Sequence, residues 1–156
     1  MESIDRFRGK YRFLSNFEPC KILYEGMIYS TVEHAFQASK ATNEHDRKMF
    51  GLFSEPAEAK KLGKQISLRS DWEDVKVSIM YEFLNQKFHK PEFMKLLMGT
   101  EGRYLVEGNN HGDIYWGQVN GAGKNTLGKL IMQIREEIKQ EFLNKWKERL
   151  YDYIGK

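Results

Sequence analysis

A chain of 156 residues, 40% hydrophobic and 13% aromatic, has the length and apolar content for one compact domain with a real core. It contains no run near the ~20 apolar residues that span a bilayer, and its opening, MESIDRFRGK, lacks the apolar stretch of a secretion signal, which predicts a cytoplasmic protein without a membrane partner. The single cysteine, Cys20, excludes an internal disulfide framework and any multi-cysteine zinc site; the net charge of +3 is too small to prove nucleic-acid binding and is compatible with an anionic small molecule.

Phe7 to Phe17 make an aromatic, irregular start. KILY and MIY then flank Glu25-Gly26, the pattern of a β-hairpin closed by a two-residue turn. Ser30-Thr31-Val32-Glu33 reads as a capping box and predicts a helix to about Lys40. Ser54-Glu55-Pro56 starts another short helix that ends near Gly63. Asp71 to Asp74 repeats the cap logic, and Val75, Ile79, Phe83 and Leu84 keep a helical period to about Phe88. Pro91 opens a further helix through Met98. RYLVEG and DIYWGQ read as β-like runs separated by the turn sequence Asn109-Asn110-His111-Gly112. After the Gly-rich stretch Gly121 to Asn125, Leu127, Ile131, Ile134, Ile138 and Phe142 recur every three or four residues, as on a long amphipathic helix. The expected fold class is mainly α, formally α+β with a few short strands, in a single domain over residues 1–138 with a helical C-terminal extension over 139–156. Cys20 reads as a buried thiol, and the basic cluster Lys60, Lys61 and Lys64 as a solvated helix face.

Three stretches carry candidate chemistry. Glu33, Gln37 and Lys40 fall at i, i+4 and i+7 and share one helix face, beside an apolar stripe of Val32, Ala35, Phe36 and Ser39. Such a polar stripe can border a cleft, although a glutamate at N3 of a capping box is also explained by local hydrogen bonding alone. His34 has no i+4 histidine and reads as structural rather than as a zinc ligand. The second stretch has glycines at 117, 121 and 123, which free the backbone for close approach to a ligand, and Asn125 as N-cap of a helix whose dipole favours an anion. It is neither a P-loop, which needs Gly at 118 and Ser or Thr at 125 where Gln118 and Asn125 stand, nor a dinucleotide loop, which needs Gly at 126 where Thr126 stands. The third is Asp113-Ile114-Tyr115-Trp116-Gly117, a carboxylate and two aromatics that suit a ligand with a planar base or serve core packing; Trp72 carries the same ambiguity.

These blocks, taken in order, resemble the YbiA/NADAR family. They are Phe13-Leu14-Ser15-Asn16-Phe17, Tyr24-Glu25-Gly26, Glu33 to Lys40, Trp72 to Lys76, Asp113 to Gly117 and Gly121 to Gly128, and the resemblance runs from about residue 7 to 138. It implies a mainly helical fold and N-glycosidase chemistry on ribosylamino-pyrimidine phosphates of riboflavin synthesis. The alternatives it implies are removal of ADP-ribose from guanine in nucleic acid, and a non-catalytic NAD or ADP-ribose binding module. Glu33 matches the acidic residue expected at the active centre; Asn16, Lys40, Trp72, Asp113, Trp116, Gly117 and Asn125 match other motif positions. Under that resemblance Glu33 is the catalytic carboxylate and Asp113 the second one. Trp116, Trp72 or Phe17 stack on the base beside Tyr115, and Lys40 and the Gly121–Asn125 loop, with Gly123, hold the phosphate. No cofactor, metal or obligate protein partner is expected. Relatives often carry Asp-Gly after the Trp-Gly pair, where this chain has Gln118-Val119-Asn120, so any role of that aspartate is absent here or falls to Asp113.

Overall fold

A computed structural model describes residues 2–155. Among the described residues six helices and four short strands follow one another in the order β1 (Ser3–Ile4), β2 (Ile22–Tyr24), β3 (Met27–Tyr29), α1 (Val32–Ser39), α2 (Glu44–Phe50), α3 (Pro56–Gly63), α4 (Trp72–Phe88), α5 (Pro91–Met98), β4 (Tyr104–Leu105) and α6 (Thr126–Ile154), with a 3-10 helix over Gly9–Leu14. The mainly helical class with few strands is the one expected from sequence.

The chain divides into two compact units. The first runs from Arg8 to Lys90. Its hairpin pairs Ile22 with Tyr29 and Tyr24 with Met27, with Glu25 and Gly26 both at positive φ (47° and 75°). A two-residue turn of this kind matches the right-handed strand twist, and glutamate is a strained choice at its first position. Glu25→Asn is therefore expected to raise stability by roughly 0.5–1 kcal/mol, read as an upward shift of the urea midpoint. α1 packs against α2, α3, α4 and both hairpin strands, and α4 also packs against β2. Every residue of α1 is buried, including Glu33, His34, Gln37 and Ser39. A helix enclosed on all sides is normally apolar throughout, so polar side chains here need partners within the protein. Asn43 caps α2 by accepting the Asp46 N–H at 2.8 Å; this helix is absent from the sequence expectations because its sequence, EHDRKMF, has no apolar period.

The second unit joins the N-terminal segment through Phe7 to the chain from Pro91 onward. β1 and β4 pair in parallel, Ser3 with Tyr104 and Ile4 with Leu105. Of the expected β-like runs only Tyr104–Leu105 becomes strand, while DIYWGQ forms none. There the side chains satisfy the backbone in place of a ladder: Asp113 Oδ1 accepts the N–H groups of Tyr115 and Trp116 (3.1 and 2.9 Å), and Asn109 Oδ1 accepts that of Asp113 (3.0 Å). On α6, Leu127, Leu130, Ile131, Ile134 and Ile138 are buried, whereas Phe142, expected in the same apolar series, is 53% exposed. The extension over 139–156 is, as far as Ile154, a continuation of α6 rather than a separate element. Among the described residues no helix is long and apolar enough to cross a membrane.

Candidate functional site

Glu33 is released from the capping role that its sequence context suggests. The N-cap of α1 is Thr31, not Ser30: Thr31 Oγ1 accepts the His34 backbone N–H at 3.1 Å. That one-residue shift moves Glu33 from N3 to N2, where its side chain is no longer needed to close the helix start. Instead Gln37, one turn on, donates from Nε2 to Glu33 Oε1 at 2.7 Å, and Glu33 is 7% exposed. The Glu33 N–H donates to the carbonyl of Asn16 at 3.1 Å, which ties the Leu14-Ser15-Asn16-Phe17 turn to the start of α1.

That turn is itself held by buried contacts. The Lys87 ammonium, fully buried, donates to the Ser15 carbonyl at 2.7 Å, and burial lowers its pKa to about 8. Ser15 Oγ accepts the Phe17 N–H at 3.1 Å, and Asn16 Nδ2 lies 3.5 Å from Met80 Sδ. Asn16 Oδ1 and Gln37 Oε1 are buried without a hydrogen-bond partner among the described residues. Polar atoms left so are rare in folded proteins, and both belong to residues in direct contact with Glu33.

The cationic side of this region comes from Lys40 and α3. Lys40 Nζ lies 5.7 Å from the ring centres of both Phe36 and Trp72, which pack on each other at 5.1 Å. Burial pulls the Lys40 pKa below the usual lysine range; the Glu33 carboxylate opposes that shift, and Lys60 and Lys64 add to it. Lys60 Nζ is also 6.0 Å from the Phe17 ring centre. Lys60, read from sequence as part of a solvated face, is half-buried beside Phe17, while Lys61 and Lys64 remain exposed as that reading has them. Gly63, read as a helix end, has a second reason to be glycine: a Cβ there would lie 1.9 Å from Gln37 Oε1, so Gly63 sets where the Gln37 amide stands against Glu33. Trp72 is 6% exposed with one side on Phe36, while Phe17 is only partly buried. The Asp71 side chain does not cap α4; it takes a bidentate pair from Arg69 (2.6 and 2.9 Å).

His34 is structural, as read from sequence. Thr31 Oγ1 meets Nδ1 at 2.8 Å and the Phe53 carbonyl meets Nε2 at 3.1 Å, an arrangement that fits the neutral ring with its proton on Nε2. Burial pushes the His34 pKa below its ordinary value. The unfolded histidine takes up its proton near pH ~6.5 while the folded one resists. Stability is therefore fully present above that pH and falls as the medium is acidified through it. Melting temperature is expected to drop between about pH 7.5 and pH 5, and the drop should shrink in His34→Gln.

In the second unit the residues around Asp113 support one another. The N–H groups of Lys124, Asn125, Thr126 and Leu127 donate to the carbonyls of Ile114, Gly117, Tyr115 and Trp116 at 2.8, 3.2, 3.2 and 3.0 Å. The N–H groups of Asn125, Thr126 and Leu127, among the donors expected to hold an anion at the start of α6, are thereby taken by the chain's own carbonyls. Asn125 is fully buried at φ 52°, and its side chain does not cap α6. Its Oδ1 accepts the Glu107 N–H at 3.0 Å and its Nδ2 donates to the Leu105 carbonyl at 2.8 Å. The close approach expected of the glycines toward a ligand is made to the protein: a Cβ on Gly117 would lie 2.2 Å from the Glu107 carbonyl, and one on Gly123 2.4 Å from the Gly117 carbonyl. Tyr115 and Trp116 pack edge to face at 5.1 Å, and Lys124 Nζ sits 4.9 Å from the Tyr115 ring centre. Glu33, Asn16, Phe17, Lys40 and Trp72 thus gather in the first unit, and Asp113, Tyr115, Trp116, Gly117, Gly123 and Asn125 in the second. No group of three or more His, Cys, Asp or Glu with metal-site geometry occurs among the described residues.

Comparison with known proteins extends these observations. The NADAR domain model matches residues 5–139. The chain is 39% identical over 132 residues to N-glycosidase YbiA of Escherichia coli (strain K12), covering 82% of each protein, and 38% identical over 136 residues to N-glycosidase Npun_R5314 of Nostoc punctiforme, covering 83% of this chain and 86% of that one. It is 31% identical over 132 residues to a 36% portion of Riboflavin biosynthesis protein VVA0006 of Vibrio vulnificus. The NMR structure of the E. coli protein YbiA superposes with a TM-score of 0.79 at 36% identity, over 92% of this chain and 89% of that one.

Proposed function

The chain belongs to the NADAR domain family, and from that premise we propose that it hydrolyses the N-glycosidic bond of a ribosylamino-pyrimidine 5′-phosphate, with Glu33 as the catalytic carboxylate. Its similarity to two N-glycosidases makes it a hydrolase of N-glycosyl compounds. The likeness to a riboflavin biosynthesis protein supports the narrower substrate.

The observation that carries the reading is Glu33 itself, a buried carboxylate held by Gln37 in a region that also gathers lysines. As the ribosyl C1′–N bond lengthens, the bonding electrons go to nitrogen and positive charge develops on the sugar. A carboxylate fixed beside C1′ lowers the energy of that state without having to reorganise. Water then adds its oxygen to C1′; Glu33 takes a proton from it and passes that proton to the departing amine nitrogen, leaving ribose 5-phosphate and the free amine with Glu33 again a carboxylate. The Gln37 hydrogen bond orients one carboxylate oxygen, which matters because a small misplacement of a catalytic group lowers the rate steeply. Lys40, whose charge also feels Lys60 and Lys64, is the phosphate-holding group, since the N–H groups of Asn125, Thr126 and Leu127 at the start of α6 already have partners. Phe17 is the base-stacking ring, being more open than Trp72, whose task is to hold Lys40. Asp113 acts by holding the Tyr115–Trp116 turn.

The test is a panel assay of the whole chain with ribosylamino-pyrimidine phosphate, ADP-ribosyl-guanosine and NAD. Ribose 5-phosphate released from the first supports the proposal. Release of ADP-ribose from the second alone would transfer the chemistry to modified guanine. A thermal shift with nucleotide and no product from any of the three would make the protein a binding module.

A further inference from the structure

The family model ends at residue 139, while α6 runs on to Ile154. From Gln140 to Gly155 every residue is exposed. Yet this stretch carries Phe142, Trp146, Leu150 and Tyr153 at 53, 62, 39 and 82% exposure. At 100° per residue these four fall along one side of the helix, with Arg149 among them and Leu143 and Ile154 at its edge. A water-exposed helix does not usually present an aromatic and aliphatic stripe about three turns long.

The charges beside the stripe say what covers it. Lys145 and Asp152 lie two turns apart along one flank. In a parallel pair of such helices like positions meet, setting Arg149 against Arg149 in the seam and leaving Lys145 without an acidic neighbour. In an antiparallel pair centred near residue 148, Trp146 of each copy meets Leu150 of the other and Phe142 meets Ile154. Lys145 of each copy then stands beside Asp152 of the other, giving two opposite-charge contacts by symmetry, and Arg149 lies over the opposing Trp146 ring. We propose that the exposed end of α6 is a self-association surface, pairing antiparallel with the same segment of a second copy. The paired region, Phe142 to Ile154, is about 20 Å long, short for a protein–protein contact, so association is expected in the micromolar range.

Sedimentation equilibrium of the full chain, from about 1 to 100 micromolar, tests this. A reversible dimer is expected for the natural sequence, and Trp146→Glu is expected to be monomeric throughout with an unchanged far-UV spectrum. Lys145→Asp and Asp152→Lys should each weaken the dimer roughly tenfold, because each replaces two attractive contacts with repulsive ones; the double exchange should restore it. A natural chain that stays monomeric, including one that instead binds vesicles or an unrelated protein, overturns the proposal. So does a dimer that survives Trp146→Glu, or a double exchange no tighter than the single ones.

Discussion

Glu33→Gln is expected to leave the fold intact and to lower ribose 5-phosphate release by at least about a thousandfold. The replacement has nearly the same shape, and its amide oxygen can still accept the Gln37 Nε2 hydrogen that Oε1 accepts at 2.7 Å. The cap hydrogen bond survives the change, since Thr31 and not Glu33 supplies it. In the proposed mechanism, what disappears is the negative charge beside a forming cation and the base that takes the proton from water. Removing a buried charge also spares its desolvation, so the melting temperature is expected to stay level or rise. The measurement pairs product release with a thermal melt. Activity within tenfold of the natural enzyme, with the fold retained, removes Glu33 from the mechanism. A supporting variant is Gly63→Ala, whose Cβ would occupy the position of Gln37 Oε1 and so misplace the residue that orients Glu33.

Asn125→Ala is expected to give the largest loss of stability outside the apolar core, about 3–4 kcal/mol, or roughly 10 °C in melting temperature. Its side chain joins two buried backbone groups eighteen and twenty residues back, the Glu107 N–H and the Leu105 carbonyl. Alanine removes both of these hydrogen bonds and places a Cβ in the left-handed region, where asparagine is better tolerated. Asn125→Gly loses the same hydrogen bonds without the conformational strain, and is expected to recover about 1 kcal/mol of the loss. Asn125→Asp keeps the acceptor for Glu107 but turns an oxygen toward the Leu105 carbonyl, and falls close to alanine. Gly128 belongs to the same arrangement, since a Cβ there would lie 2.6 Å from the Asn125 side chain. A urea titration in which Asn125→Ala stays within 1 kcal/mol of the natural chain would show that this bridge does not hold the loop to β4.

The two variants separate the kinds of information in the chain. Sequence alone determined the helices that begin with proline or follow an apolar period: α3, α4, α5 and α6 stand where the pattern puts them. It also determined the hairpin, because Glu25-Gly26 between two β-rich triplets has one good turn to adopt, and the ordered motifs determined the family. Its limit is the distance over which a residue advertises its partner. Glu33 in a Ser-Thr-Val-Glu run looks like a cap residue, and only the backbone of Thr31 decides otherwise. The glycines and Asn125 look like a ligand loop, because close approach to a phosphate and close approach to the chain's own carbonyls ask for the same residues. DIYWGQ has β propensity, but Asp113 and Asn109 satisfy its backbone locally before any strand can. Lys60 looks solvated until α3 is folded against α1 and leaves it half-buried beside Phe17. Local propensity and spacing are properties of neighbouring residues and can be read along the chain. Which buried polar group meets which is fixed only when distant segments pack, and that packing, not the motif, set the surroundings of the carboxylate.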